Sequence, residues 1–146
     1  MAETESPHLR LQQQIDCQLE IKPRPVLQAW ERDGWKEEPG TDADETPLKY
    51  LALVLLEAIE ERAVRMSIEK DEGATVYGSS TYTLPKAPSF IIARGLEILR
   101  EVTGIQGPSG QGSLSLGIRN DSVDLIVQKQ AGRHIITIPG IAELPG

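Results

Sequence analysis

The sequence predicts an α+β fold. The expected core is an antiparallel sheet of about five to six strands with two main helices on one face, in the order α-β-β-(β)-α-β-β-β, behind an N-terminal arm. Three observations predict it. From Thr46 to Ala63 apolar residues recur at spacings of three and four, and past Arg62 the period changes to two. A second stretch of helical period, from Ser89 to about Thr103, also leads through a loop into alternating segments. The segments between and after these helices carry turn residues that make hairpins and a final meander, which suits an antiparallel sheet.

The central unit is Thr46 to Lys70, TPLKYLALVLLEAIEERAVRMSIEK. Thr46 is expected to cap a helix with Pro47 at its first position, where the missing N–H costs nothing. Leu48, Leu51, Ala52, Leu55, Ile59 and Ala63 form its core stripe, and Lys49, Glu57, Glu60 and Glu61 are expected on the solvent side. The run Leu51 to Leu56 is apolar all round, so the first half should have neighbours on more than one side, yet it is too short to span a bilayer. Val64, Met66 and Ile68 then alternate with Arg65, Ser67 and Glu69, which reads as a strand.

The flanking elements follow the same rules. Ile15, Cys17, Leu19 and Ile21 alternate with polar residues, predicting a strand that the Pro23 and Pro25 pair ends. Pro25 to Asp33 reads as a short helix closed by Gly34, Met1 to Pro7 as a disordered start, and Lys36 to Glu45 as an acidic linker. Beyond the central unit, Asp71 to Gly73 make a turn, and Ala74 to Leu84 give one bent strand or a hairpin around Gly78. Ser89 is placed to cap the second helix, whose apolar face is Ile91, Ile92, Leu96, Ile98, Leu99 and Val102, and Gly104 stops it. Leu114, Leu116 and Ile118, then Val123, Leu125 and Val127, then Ile136 and Ile138 supply three strands, with turns at Asn120 and Asp121 and at Ala131 and Gly132. The expected organisation is an arm over 1–45, one domain over 46–140 and a tail over 141–146, with the arm dispensable for folding.

At 146 residues and 39% hydrophobic content the chain can bury one core but hardly two. A single Cys17 excludes an internal disulfide framework, and the start MAETESPHLR has no apolar signal segment, so a cytoplasmic location is expected. The formal charge is -7, and residues 1–46 hold 11 acids against 5 bases, which leaves a nearly neutral remainder. No cluster of Lys and Arg faces the way nucleic-acid binding requires, and no membrane insertion is expected.

Candidate sites weigh as follows. The glycine loop Gly104 to Gly112 precedes a strand rather than a helix and has no Lys followed by Ser or Thr, so it reads first as a connection and only second as a small-ligand site. Cys17 with His8 or His134 lacks the context of a nucleophile and base, and Cys17 reads as a buried structural thiol. Glu57, Glu60 and Glu61 read as a solvated face without metal-ligand spacing. Trp30 and Trp35 stand out at 4% aromatics; they read either as an anchor for a partner or as the docking of the arm on its own domain. No catalytic, cofactor or metal residue is assigned.

The helix, then VRMSIEK, a hairpin, the helix IIARGLEILREVTGI, the glycine loop, GSLSLGI and SVDLIVQ together resemble a known family over Pro47 to about Ile138. The resemblance is to the PAS-like domain that precedes the motor core in type II secretion and type IV pilus assembly ATPases. Ile68 and Glu69 match the family's strand after the first helix outright, and Met66 conservatively. Pro108, Gly112, Leu114 or Leu116, Val123, Asp124, Leu125 and Val127 can be laid on its later pattern. The departures are specific. Gln106, Gly107, Gln111 and Ser113 fill the region where the family carries arginines, and no G-x-x-x-x-G-K-[ST] occurs, so no nucleotide role carries over. The resemblance implies a non-catalytic protein-interaction module accessory to a secretion or pilus machine. The alternative is a small acidic secretion chaperone that dimerises and wraps extended client segments.

Overall fold

A computed structural model describes residues 6–36, 43–107, 109–119, 121–130 and 132–138. The expectations for Met1 to Ala2 and onward to residue 5, most of the acidic linker, Pro108, the turn positions Asn120 and Ala131, and the tail lie outside these residues. The elements are α1 (Pro7–Gln18), α2 (Pro23–Arg32), α3 (Glu45–Glu60), β1 (Arg65–Glu69), β2 (Gly73–Tyr77), β3 (Thr81–Thr83), α4 (Ser89–Thr103), β4 (Gly110–Ile118), β5 (Asp121–Gln130) and β6 (Arg133–Thr137). The fold is α+β. All strand pairs are antiparallel, in a six-stranded sheet of order β3-β2-β1-β6-β5-β4.

Two meanders therefore meet at β1 and β6, with Met66 opposite Ile136 and Ile68 opposite His134. The alternation read from the sequence sets the inner face: Met66, Ile68, Ala74, Val76, Leu114, Leu116, Ile118, Leu125, Val127 and Ile136 join one core with α3 and α4. The final meander and the β2–β3 hairpin form as expected. Val64 differs: it precedes β1 and is exposed.

α3 is buried from Thr46 to Ala58 with only Lys49 partly open, because the sheet, α1, α2 and α4 surround it. Its start differs from the expected cap. Asp44 is the N-cap residue and its backbone carbonyl accepts from Leu48, while Thr46 and Pro47 lie inside the first turn. The Asp44 carboxylate turns away to take two bonds of 2.8 Å from Arg94 of α4, and that hydrogen-bonded pairing holds its pKa below the usual value. α4 likewise starts from Pro88 rather than from a Ser89 cap, with Pro88 accepting from Ile91 and Ile92. At the other ends, Gly104 at φ 76 closes α4, and Arg62 at φ 55 closes α3 while Ala63 donates back to Ala58 over 2.9 Å.

The expected strand around Ile15 to Ile21 is instead the last turn of α1, to Gln18, and the turn that follows it. Ser6 accepts from Leu9 and Pro7 follows it, so the start is capped. Leu11 and Ile15, four residues apart, are fully buried, and period 3.6 prevails over an alternation of only four apolar positions. The helical turn also puts Cys17 in solvent, so the thiol is not the buried structural one that the strand reading implied. α2 matches the expected short helix and buries Leu27 and Trp30. Both N-terminal helices thus contribute to the same core as the 46–140 region. A chain beginning near Asp44 would lose Leu11, Ile15, Leu27 and Trp30 and bare the α3 surface they cover.

Candidate functional site

The two tryptophans are built into the α2–α3 contact. Trp30 is only 8% exposed and its indole N–H donates to the Lys36 carbonyl over 3.0 Å. Lys49 of α3 lies over its ring at 4.7 Å from the centroid. Trp35 packs on Trp30 with centroids 4.9 Å apart and meets Tyr50 edge-on at 6.2 Å. These contacts seat the arm on its own domain, the second of the two readings above; Trp35 alone stays half-buried.

Beside them lies a polar cluster that period and spacing did not show. Glu57, expected in solvent, is 4% exposed because α2 and β3 close over it. Its carboxylate accepts from the Tyr82 hydroxyl and sits 3.4 Å from Arg24 Nε, while Arg24 lies over the Tyr82 ring at 4.1 Å. Burial, and then the bond to Glu57, push the Tyr82 phenol up to about 12. The Arg24 pKa is raised, first through Tyr82 and also by Glu57 and Glu61. This cluster flanks a groove of about 650 Å³ whose walls include Ile21, Pro23, Glu60, Glu61 and Arg119. Four of its charges are paired with one another: Arg119 donates to Glu60 over 2.6 Å, and Arg24 reaches Glu61 at 3.7 Å. The arrangement fastens α2 to α3 and β3, and none of its members is set up as a free base or nucleophile.

The glycine loop has a packing reason. A Cβ on Gly112 would stand 2.4 Å from the Thr103 carbonyl oxygen, so glycine allows β4 to pass directly beneath the end of α4. Lys129 spans the loop by donating to the Gly107 carbonyl over 2.9 Å. Gly112→Ala should destabilise the chain by about 1 to 3 kcal/mol through forced displacement of backbone, readable as a lower urea midpoint. Cys17, His8 and His134 are not brought together: Cys17 is exposed on α1, His8 meets β4, and His134 is buried under Arg100. Among the described residues no group of three or more His, Cys, Asp or Glu could hold a metal, and no helix is long and apolar enough to cross a membrane.

The outer face of the sheet carries no helix among the described residues. Two cross-strand rows run over it, Thr81–Tyr77–Arg65–Thr137–Ile126–Ser113 and Thr83–Thr75–Ser67–Ile135–Gln128–Gln111. Ile126, Ile135 and Tyr77 are half-buried there, and Arg65 leans over the Tyr77 ring at 5.1 Å. The Glu69–Arg133 pair, 2.8 Å apart, closes one end. Ile126 and Ile135 are thus diagonal neighbours on β5 and β6 with Arg65, Thr137 and Gln128 around them, while Tyr77 stands two strands further across the face. Neither the family models nor the curated proteins include a match to this chain.

Proposed function

We propose that the chain is a non-catalytic protein-interaction module that docks a larger partner on the open face of its sheet. The observation that carries this reading is the diagonal cross-strand pair Ile126 and Ile135, flanked by Arg65, Thr137 and Gln128 and uncovered among the described residues. Two polar clusters join elements to one another, Asp44 with Arg94 and Glu57 with Arg24 and Tyr82, and their mutual engagement supports the reading. The helix, strand and meander order is in keeping with the PAS-like domain of secretion and pilus assembly ATPases, and an accessory place in such a machine is the partner class we put forward. Ile126→Asp with Ile135→Asp tests the surface. In affinity capture with the full chain as bait, a partner retained by the native face should be lost by the double variant while its melting curve stays cooperative; undiminished capture would reject the face. Titration calorimetry should give no micromolar heat of binding for ATP, since Gln106, Gly107, Gln111 and Ser113 offer no cation to phosphate.

A further inference from the structure

We infer that the cleft where α1 and α2 meet the start of α3 binds a small amphipathic carboxylate. The cleft has a volume of about 370 Å³, and its walls include Cys17, Ile21, Val26, Trp30, Thr46 and Lys49. That volume suits a small organic molecule. One wall is the start of α3, a helix of 16 residues with no side-chain cap. Asp44 stands at the N-cap, but its carboxylate is turned to Arg94. Glu45 and Thr46, which both line the cleft, therefore keep N–H groups without a partner among the described residues, and Pro47 has none to offer.

Every helix start attracts anions to some degree, and Thr46 singles this one out. The residue is only 4% exposed, yet its hydroxyl makes no hydrogen bond with any described residue and still opens on the cleft. A hydroxyl so deeply buried is ordinarily bonded, and one that is not, in the wall of a cleft, calls for an acceptor from a ligand. Lys49 adds an ammonium three residues along the same helix. It lies over the Trp30 ring and has no carboxylate within ion-pair reach among the described residues. The Lys36 ammonium is likewise unpaired, and Glu45, the one carboxylate lining the cleft among the described residues, pairs with neither lysine. Donors and positive charge thus come from α3, while α2 and the link before it supply apolar groups. Ile21, 40% exposed, is one of the few large hydrophobic side chains left open, and it lines the cleft with Val26 and the Trp30 ring. A carboxylate on a short hydrocarbon body answers both walls: its oxygens accept from the Thr46 hydroxyl and the free amides, and its chain covers Ile21. The cleft lies in the helical layer, so the inference does not rest on the docking face of the sheet.

Hexanoate is the probe, titrated into the isotopically labelled full chain and followed by the shifts of the Glu45 and Thr46 amides and the Trp30 indole N–H. These three groups should shift together and saturably, with a Kd of about 1 mM or tighter. Hexanoate should also slow the alkylation of Cys17 by iodoacetamide, since the thiol lines the same cleft. Hexanol, which lacks the charge, and inorganic phosphate, which lacks the apolar body, should each bind at least about tenfold more weakly. Thr46→Val keeps the side-chain shape and removes only the unbonded hydroxyl. It should weaken hexanoate by about tenfold while the chain melts no earlier than the native one, and Lys49→Gln should weaken it in the same direction. The absence of saturable shifts overturns the inference, and so does hexanol or phosphate binding as well as hexanoate. Native affinity in a folded Thr46→Val chain overturns it too.

Discussion

Leu55→Ala should cost about 2 to 5 kcal/mol, the range for a buried leucine whose cavity only partly collapses. Leu55 is 1% exposed at the middle of α3, where fraying cannot relieve a defect and where α1, α2, α4 and the sheet surround the helix. Against a total stability on the order of 5 to 15 kcal/mol that is a large fraction, and urea melts at neutral pH should show a clearly lower midpoint. A midpoint within error of the native one would mean that α3 does not lie at the centre of the core.

Glu57 makes the companion test, because period and structure disagree about it. By spacing it belongs to the solvent side with Glu60 and Glu61, and its replacement should change stability by no more than about 0.5 kcal/mol. With the carboxylate buried between Arg24 and the Tyr82 hydroxyl, Glu57→Ala should instead cost about 1 to 3 kcal/mol, the penalty of stranding two polar partners. Glu61→Ala, at an exposed position, keeps the small value.

That disagreement shows how far the sequence could be read. Helical period identifies the stripe of α3 through Leu48, Leu51 and Leu55, and alternation identifies the inner face of every strand from β4 to β6, because both depend only on neighbours along the chain. Glu57 depends on Arg24 and Tyr82, which lie 33 and 25 residues away in the sequence and arrive on α2 and β3. The N-terminal helix was missed for a different reason. Ile15, Cys17, Leu19 and Ile21 satisfy period two, but the Ser6–Pro7 start and the Leu11–Ile15 spacing already satisfied a capped helix, and that signal was available. The Gln12 and His8 contacts with β4 had no local signature: Gln12 donates to the Gly117 carbonyl and accepts from the Gly117 N–H, yet in one dimension it looks like any other glutamine. The tryptophans were legible as anchors, and what they anchor required the fold.

Acid should weaken the fold through His134. It stands on β6 at 1% exposure, and its Nε2 accepts from Arg100 Nη1 at 3.3 Å, which leaves the proton on Nδ1 without a buried partner. Burial, then the positive charges of Arg100 on α4 and Lys129 on β5, lower its pKa from 6.5 to about 4. The folded state therefore binds this proton less readily than the unfolded chain. The sign follows: the contribution is complete above the unfolded value near pH 6.5, is lost as the pH falls, and levels off below the folded value near 4. The loss should reach about 2 to 3 kcal/mol by about pH 4.5. Asp44, whose pKa is held below 3.8 by Arg94, contributes its own loss only at still lower pH, so the interval between about pH 7 and pH 4.5 separates the histidine from Asp44. Urea midpoints of the native chain should drop across that interval, and His134→Leu, which has no proton to gain, should show a drop smaller by that amount. Parallel pH profiles for the two chains would mean that His134 titrates alike in the folded and unfolded states, and that the space beneath Arg100 is open to water.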